Sequence, residues 1–215
     1  SGLMVSLGLI ESDRELLLKL ANLVGSSKPL FRATSREKTG RQPFFCLNLT
    51  NKKIAEDLVR HGVVPRKTYT IRFPTWLSSD LQRHFTRGYF DGDGSLVVRT
   101  KHHNATFSLV SNKDFCEGAC AFLIANGFGA KAYDIKNKEV KRVVVSGGAQ
   151  VSRLLEFLYA DASIYMERKH KRFEDLMSQR EAWLSKDTLI RDAAGRLARP
   201  RLVDPRCPAC GRAPW

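Results

Sequence analysis

The order of helices and strands repeats within this chain, and the repeat limits the fold more than any other feature of the sequence. The stretch SDRELLLKLANLV aligns with SNKDFCEGACAFL, which places Ser12 over Ser111 at an offset of 99 residues. PRKTY aligns with ERKHK and places Lys67 over Lys169, at an offset of 102 residues. A duplicated element order predicts two halves of similar fold.

Hydrophobic periodicity assigns the elements of each half. Apolar and polar residues alternate in FFCLNLT and ATFSLVS, which predicts strands, and apolar residues recur every three to four positions in the stretches that follow, which predicts helices. We expect capping boxes, Ser12 with Glu15 and Ser79 with Gln82, to begin two other helices. The sequence therefore predicts an α/β (α+β) fold with a duplicated αββαββα repeat and antiparallel hairpins.

The first repeat is expected to be incomplete. We assign residues 1–77 to the first repeat, 78–184 to the second, and 185–215 to a basic tail that holds a CxxC pair. A first-repeat counterpart of Asp93 would fall before Ser1, so the first repeat should lack its opening helix and the strand after it. On this hypothesis the chain is a fragment of a longer protein.

The segment RGYFDGDGSL, positions 87–96, joins a predicted helix to a strand and contains three glycines. Each glycine destabilises a helix interior by about 0.5–1 kcal/mol relative to alanine, so the glycines need a structural reason. Two helices approach each other closely only where their contact residues are small. We predict that this helix packs on an equivalent helix through one stripe: Leu81, Phe85, Gly88, Tyr89 and Gly92.

The segment TRGYFDGDG resembles the LAGLIDADG motif of homing endonucleases, with Gly88, Asp91, Asp93 and Gly94 on its most characteristic positions. The resemblance implies saddle-shaped antiparallel sheets that lie on double-stranded DNA. It also implies site-specific, metal-dependent hydrolysis of phosphodiester bonds, in the service of intron or intein mobility. The sequence contains one such motif, so the second motif helix would come from the same chain when it is full length and otherwise from another chain.

The resemblance further implies the roles of individual side chains. Asp93 and Gly94 would hold Mg²⁺ or another divalent cation, while Asp91 would serve the helix end through hydrogen bonds. The polar group that positions water would be Ser111 or Asn112. The basic residue near the scissile phosphate would be Lys169 or its neighbour Arg168, with Lys67 as the equivalent of this basic residue in the first repeat.

The motif has three other interpretations. A calcium-binding EF-hand that begins at Asp91 is excluded, because Leu96 and His102 stand where Gly and Glu are required. A purely structural turn with Gly94 as a left-handed cap is a second alternative. A third is a noncatalytic nucleic-acid-binding protein on the same fold, such as a regulator resembling the WhiA group or an RNA splicing cofactor.

The net charge favours a polyanionic partner over a merely basic surface. Thirty-six Lys and Arg against 22 Asp and Glu give +14 at pH 7, an excess that indicates nucleic acid. No stretch approaches the ~18 apolar residues of a membrane span, so we expect a cytoplasmic protein that meets nucleoid or organelle DNA. The candidate DNA contacts are Lys28, Arg32, Arg36, Lys38, Arg41, Arg99, Lys101, His103, Lys136, Lys138, Lys141, Arg142 and Arg168.

The five cysteines fall into two groups. Cys46, Cys116 and Cys120 lie in apolar surroundings, which indicates buried thiols in a reducing compartment. Cys207 and Cys210, in CPACG, have the spacing of half a zinc ribbon. Since a structural zinc site needs four ligands, Zn²⁺ binding at this pair is a hypothesis that requires a second pair.

Overall fold

The first half of the chain forms a three-stranded antiparallel sheet with two helices. In this computed structural model the residues described are 4–33, 44–65, 67–99, 104–136 and 138–194. The elements of the first half are β1 (Val5–Ile10), α1 (Arg14–Leu23), β2 (Phe31–Ala33), β3 (Phe44–Leu49) and α2 (Lys52–Arg60). The strand order is β1-β3-β2, with β3 in the centre.

The second half is larger and contains a four-stranded antiparallel sheet in the order β4-β5-β7-β6. Its elements are α3 (Ser79–Asp93), β4 (Ser95–Arg99), β5 (Asn104–Ser111), α4 (Lys113–Ala125), β6 (Lys131–Asp134), β7 (Lys141–Ser146), α5 (Gly148–Tyr159) and α6 (Glu167–Ala194). The order β5-β7-β6 matches β1-β3-β2, and among the described residues the first half has no counterpart of α3 or β4. The predicted mixed α/β fold with antiparallel sheets is confirmed.

Of the two predicted capping boxes one is shifted by a residue and the other does not form, whereas α4 begins at an asparagine cap. Asn112 accepts a hydrogen bond from the Phe115 amide, 2.9 Å, at the start of α4. The cap of α3 is Ser78, one residue before the predicted Ser79, and its hydroxyl accepts from the Leu81 amide. The predicted box at Ser12 does not form, because residues 11–13 make a 3-10 turn that leads into α1.

Each half has its own apolar core. The larger core lies between the second sheet and helices α3, α4, α5 and α6. The smaller core lies between the first sheet and α1, around Leu17, Ala21, Leu47 and Leu49. Because each helix layer covers one face of its sheet, the opposite face of each sheet is left open.

Polar contacts at the start of α6 join the two halves. The Asp13 carboxylate, whose side chain is 3% exposed, pairs with the Arg168 guanidinium at 3.0 Å. Lys19 on α1 pairs with Glu167 at 2.8 Å. Helix α6 then continues to Ala194, across the expected boundary between residues 184 and 185. No helix in the described part of the chain is long and apolar enough to cross a membrane.

Candidate nucleic-acid interface and catalytic site

One face of α3 is exposed and is not covered by another element of the described chain. Gly88 and Gly92 are exposed, and a Cβ built at either position meets no atom within 4 Å. Leu81, on the same stripe, is 50% exposed. The sequence prediction also placed Phe85 and Tyr89 in this stripe, but both rings pack inward against Phe115 in the larger core. The open stripe of α3 therefore consists of Leu81, Gly88 and Gly92.

Gly94 ends α3 for a steric reason. Its backbone is extended, with φ −76° and ψ 162°, so the left-handed cap is not formed. A Cβ at this position would lie 2.7 Å from both the Cα and the carbonyl oxygen of Phe90. Glycine is required here because the chain turns back closely over the last helical turn, not because of a positive φ.

The two carboxylates of the motif have opposite environments. Asp91 is buried, and it accepts hydrogen bonds from the Tyr159 hydroxyl, 2.6 Å, and from the Met166 amide, 3.1 Å. Burial raises the pKa of Asp91, and these two hydrogen bonds oppose that rise. Asp93 is exposed, and its carboxylate has no hydrogen-bond or ion-pair partner among the described residues. Asp91 therefore holds the helix end, and Asp93 is available to a ligand.

Lys169 lies against the end of α3. The residue is 7% exposed, and its ammonium group donates hydrogen bonds to the carbonyl of Phe90 and, at 2.7 Å, to the carbonyl of Gly94. Burial, with a contribution from Arg168, lowers the pKa of Lys169 to about 8. A cation at the last carbonyls of a helix also interacts favourably with the helix dipole. The lysine thus caps α3 directly beside Asp93.

The other predicted catalytic residues lie in different environments. The Asn112 side chain is buried, and besides capping α4 it donates to the carbonyls of Thr68 and Ile71. Ser111 is buried at the end of β5. Lys67 begins an exposed 3-10 turn, where its Nζ has no hydrogen-bond acceptor within the described part of the chain.

Two arginines and one aspartate that support this site were missed by sequence reasoning. Arg83 donates to the carbonyls of Phe157 and Ala160, and Arg87 donates to that of Leu158, so both bind the C-terminal end of α5. Their spacing of four residues on one helix was a signal for a common face. Asp13 carried no such signal, because its partner Arg168 lies 155 residues away.

Asp93, at the end of α3, lies at the edge of the open face of the second sheet. A cavity of about 400 Å³ lies over this face and is lined by Asp93, Arg99 and Arg142, together with Ser95, Val97, Thr106, Ser108, Val110 and Val144. Lys141, predicted to contact DNA, lies on the covered face and pairs with Asp134 at 3.2 Å. The acid at the helix end and two cations of the sheet thus share one concave surface.

The remaining predicted contacts are dispersed. Lys28 donates a hydrogen bond to the Thr50 hydroxyl at 2.6 Å. Arg32 pairs with Phe45 in the sheet register, which places it on the covered side of the first sheet. Lys136 and Lys138 are exposed in the turn after β6. Several predicted residues lie outside the described ones: Arg36, Lys38, Arg41, Lys101, His103, Cys207 and Cys210.

The described residues contain no complete metal site of their own. Among them no three His, Cys, Asp or Glu side chains form a group that could hold a metal ion. The Asp93 carboxylate and the second lone pair of the Gly94 carbonyl, whose other lone pair accepts from Lys169, offer hard oxygen ligands of the type that Mg²⁺ prefers. The donor set therefore fits one side of a shared cation site.

Comparison with solved structures shows what the fold is similar to. The I-LtrWI LAGLIDADG homing endonuclease bound to target DNA has a TM-score of 0.55 and 11% identity, over 93% of this chain and 88% of that one. The LAGLIDADG meganuclease I-AabMI bound to uncleaved DNA has a TM-score of 0.53 and 14% identity, over 85% and 82%. The meganuclease I-SmaMI bound to uncleavable DNA has a TM-score of 0.52 and 11% identity, over 81% and 78%.

These likenesses cover both halves of the chain and show the fold. No protein-family model matches the sequence, and no curated protein matches it.

Proposed function

We propose that this chain is a site-specific endonuclease of the LAGLIDADG type, which hydrolyses phosphodiester bonds of double-stranded DNA. One observation carries the proposal: the Asp93 carboxylate, which has no partner among the described residues, stands at the rim of a concave, cationic sheet face. The fold neighbours that were crystallised with DNA support duplex DNA as the partner. A DNA substrate also accounts for the net charge of +14 and would place the activity inside a cell.

The chemistry would depend on a divalent cation, for which Mg²⁺ is the first candidate. Asp93 and the Gly94 carbonyl would hold it, and the ion would supply an activated water and neutralise charge on the scissile phosphate. Lys169 fixes the carbonyls of Phe90 and Gly94, and Asp91 fixes the start of α6. These two contacts hold Asp93 in place, so we assign Lys169 a positioning role in this site.

A second acidic motif would complete the site. The open stripe of α3 allows the backbone of another helix to approach closely, because nothing larger than hydrogen projects from Gly88 and Gly92. Lys67 is the repeat equivalent of Lys169, and its exposed ammonium is available to cap the end of that second helix. We therefore expect that the single motif in this sequence cleaves poorly until another copy pairs with it.

The test is the replacement Asp93→Asn. Duplexes that bind the chain are first selected from a random library without divalent cations, and Mg²⁺ is then added to the wild type and the variant. Asp93→Asn should lose Mg²⁺-dependent cleavage and keep its affinity for the selected duplex. Glu117→Gln, a change of an exposed carboxylate on α4, serves as the matched control and should cleave like the wild type.

Each alternative gives a distinct result. Unchanged cleavage by Asp93→Asn would refute the assignment of the site. Specific duplex binding without any cut, even at protein concentrations at which sedimentation shows a dimer, would favour a noncatalytic regulator. Double-strand cleavage by a strict monomer would contradict the need for a second motif.

A further inference from the structure

Two buried polar residues occupy equivalent positions of the repeat. Asp13 precedes α1 and Asn112 precedes α4, and the alignment that places Ser12 over Ser111 also places Asp13 over Asn112. Each of the two is only 6% exposed. Burial of a polar side chain is unfavourable unless its hydrogen bonds are made, so the partners of these residues indicate what each position does.

Asp13, in the first half, binds the first turn of α6 in the second half. Its carboxylate accepts from Nε of Arg168 at 3.0 and 3.2 Å, one distance for each oxygen. The next residue, Lys169, donates to two carbonyls at the end of α3. The first half of the chain therefore reaches the helix end that carries Asp93 through two adjacent side chains of α6.

Asn112, in the second half, makes the reciprocal contact. Its side-chain amide donates to the carbonyls of Ile71, at 2.8 Å, and Thr68, at 3.2 Å. Both carbonyls belong to the turn that begins at Lys67, and the Ile71 amide closes that turn on the Lys67 carbonyl at 2.8 Å. Lys67 aligns with Lys169 in the repeat. Each half therefore contacts the lysine-bearing turn of the other half.

The two positions carry different side chains because their partners differ. A carboxylate only accepts hydrogen bonds, and its charge complements that of a guanidinium. A carboxamide has two N–H donors for two carbonyl oxygens, and its own oxygen remains free to cap a helix. The Asn112 oxygen caps α4 by accepting from the Phe115 amide. Asp13 makes no side-chain cap on α1, so its carboxylate is committed to Arg168.

We propose that Asp13 and Asn112 are positioning residues, through which each half of the chain holds the lysine-bearing turn of the other half. For Asp13 the object of this control is the end of α3, because Lys169 binds the Gly94 carbonyl directly after Asp93. The inference rests on the proposed function, since Asp93 and that carbonyl are the proposed cation ligands. It adds that a residue of the first half sets the geometry of these ligands.

Two variants separate the two contacts. Asp13→Asn removes the charge that Arg168 binds and changes the volume of the side chain little. Asn112→Asp keeps an oxygen that can cap α4 and removes both donors to the turn at Lys67. Asn112→Ser, which keeps a capping oxygen without a charge, takes its place if Asn112→Asp does not fold. Thermal unfolding shows which variants are folded.

Hydrogen exchange of backbone amides, measured without divalent cations, tests the coupling independently of cleavage. The Gly94 and Lys169 amides are bonded to the carbonyls of Phe90 and Met166. In Asp13→Asn both amides should exchange about tenfold faster or more, because the turn that holds them opens locally. The amides of residues 67–71 should keep their rates in Asp13→Asn. In Asn112→Asp the response should be reversed, with faster exchange in residues 67–71 alone.

The matched control removes an aspartate–arginine pair that lies within one half. Asp57 pairs with Arg60 at 2.7 Å on α2, so Asp57→Asn should leave the exchange at both turns unchanged.

Cleavage of the selected duplex gives the second measurement. In Asp13→Asn the Mg²⁺ concentration for half-maximal cleavage should rise about tenfold, as expected when an outer partner of a metal ligand is lost. Affinity for the same duplex without Mg²⁺ should not change. Because Asp13 acts through Arg168, Asp13→Asn combined with Arg168→Gln should cost no more than either change alone.

Three results would overturn the inference. Unchanged exchange of the Gly94 amide in Asp13→Asn would show that the first half does not hold the end of α3, whether or not the chain cleaves DNA. Exchange that rises evenly over the whole chain would show a general loss of stability without positioning. Weaker duplex binding by Arg168→Gln, but not by Asp13→Asn, would assign Arg168 to DNA.

The proposed function can fail separately. A local rise in exchange at Gly94, with no cleavage by the wild type under any condition, would refute the endonuclease and leave the coupling between the halves standing.

Discussion

Gly88 and Gly94 belong to one motif but should respond in opposite ways to the same substitution. At Gly88, within α3, an added Cβ meets no atom within 4 Å, so Gly88→Ala gains helix propensity without a clash. At Gly94 the added Cβ falls 2.7 Å from the Phe90 carbonyl oxygen, which is fixed by the helix. Gly94→Ala must therefore displace backbone.

The magnitudes follow from these two environments. Gly88→Ala should raise the free energy of unfolding by about 0.5–1 kcal/mol, the usual difference between glycine and alanine in a helix interior. Gly94→Ala should lower it by about 1–3 kcal/mol, as overpacked positions do. For a chain of this size, 1 kcal/mol corresponds to a shift of roughly 2–4 °C in Tm. Differential scanning fluorimetry resolves such shifts, and urea unfolding gives the free energies.

The functional effect of the first substitution should oppose its effect on stability. A methyl group at position 88 stands on the stripe through which a second helix would approach, so Gly88→Ala should weaken Mg²⁺-dependent cleavage while it stabilises the chain. Gly88→Leu should abolish cleavage. If Gly88→Ala destabilises the chain, or Gly94→Ala is neutral, the steric argument for this helix end is refuted.

Two other predictions concern the support of the site and its charge. Asp91→Ala leaves the Tyr159 hydroxyl and the Met166 amide without their acceptor, so the free energy of unfolding in urea should fall by about 2–4 kcal/mol; a fully stable variant would contradict the assigned hydrogen bonds. If Arg142 neutralises a phosphate, Arg142→Gln should reduce the slope of log DNA affinity against log salt concentration by about 1. Lys141→Gln, on the covered face, should leave this slope unchanged. Equal slopes for the two variants would contradict the assigned faces.

Much of the fold could be predicted because its signals are local. The strand alternation around Phe107 and Leu109 and the helix periodicity around α4 are set by residues a few positions apart, and both were confirmed. The repeat supplied the expectation that the two halves share one order of elements. The end of α3 at Asp93 was also visible, because the glycines and aspartates there interrupt the helical pattern.

The orientation of side chains could not be predicted to the same degree. Gly88 and Tyr89 lie on one broad stripe in the sequence, and only the position of α4 shows that Tyr89 packs inward while Gly88 stays open. Lys141 and Arg142 precede three consecutive valines. Because apolar and polar residues do not alternate there, the sequence did not show which of the two cations faces the open side of the sheet. The pair of Asp13 with Arg168 depends on how the two halves meet, which no local pattern contains.

The first turn of α6 is a junction of three parts of the molecule. Three consecutive side chains leave it in different directions: Glu167 to α1, Arg168 to Asp13, and Lys169 to the end of α3. Successive helical residues are rotated by 100° about the axis, so one inserted or deleted residue at this turn would misdirect all three contacts together. The register of this single turn therefore decides which part of the molecule each of the three side chains reaches, and with it the relative orientation of the two halves.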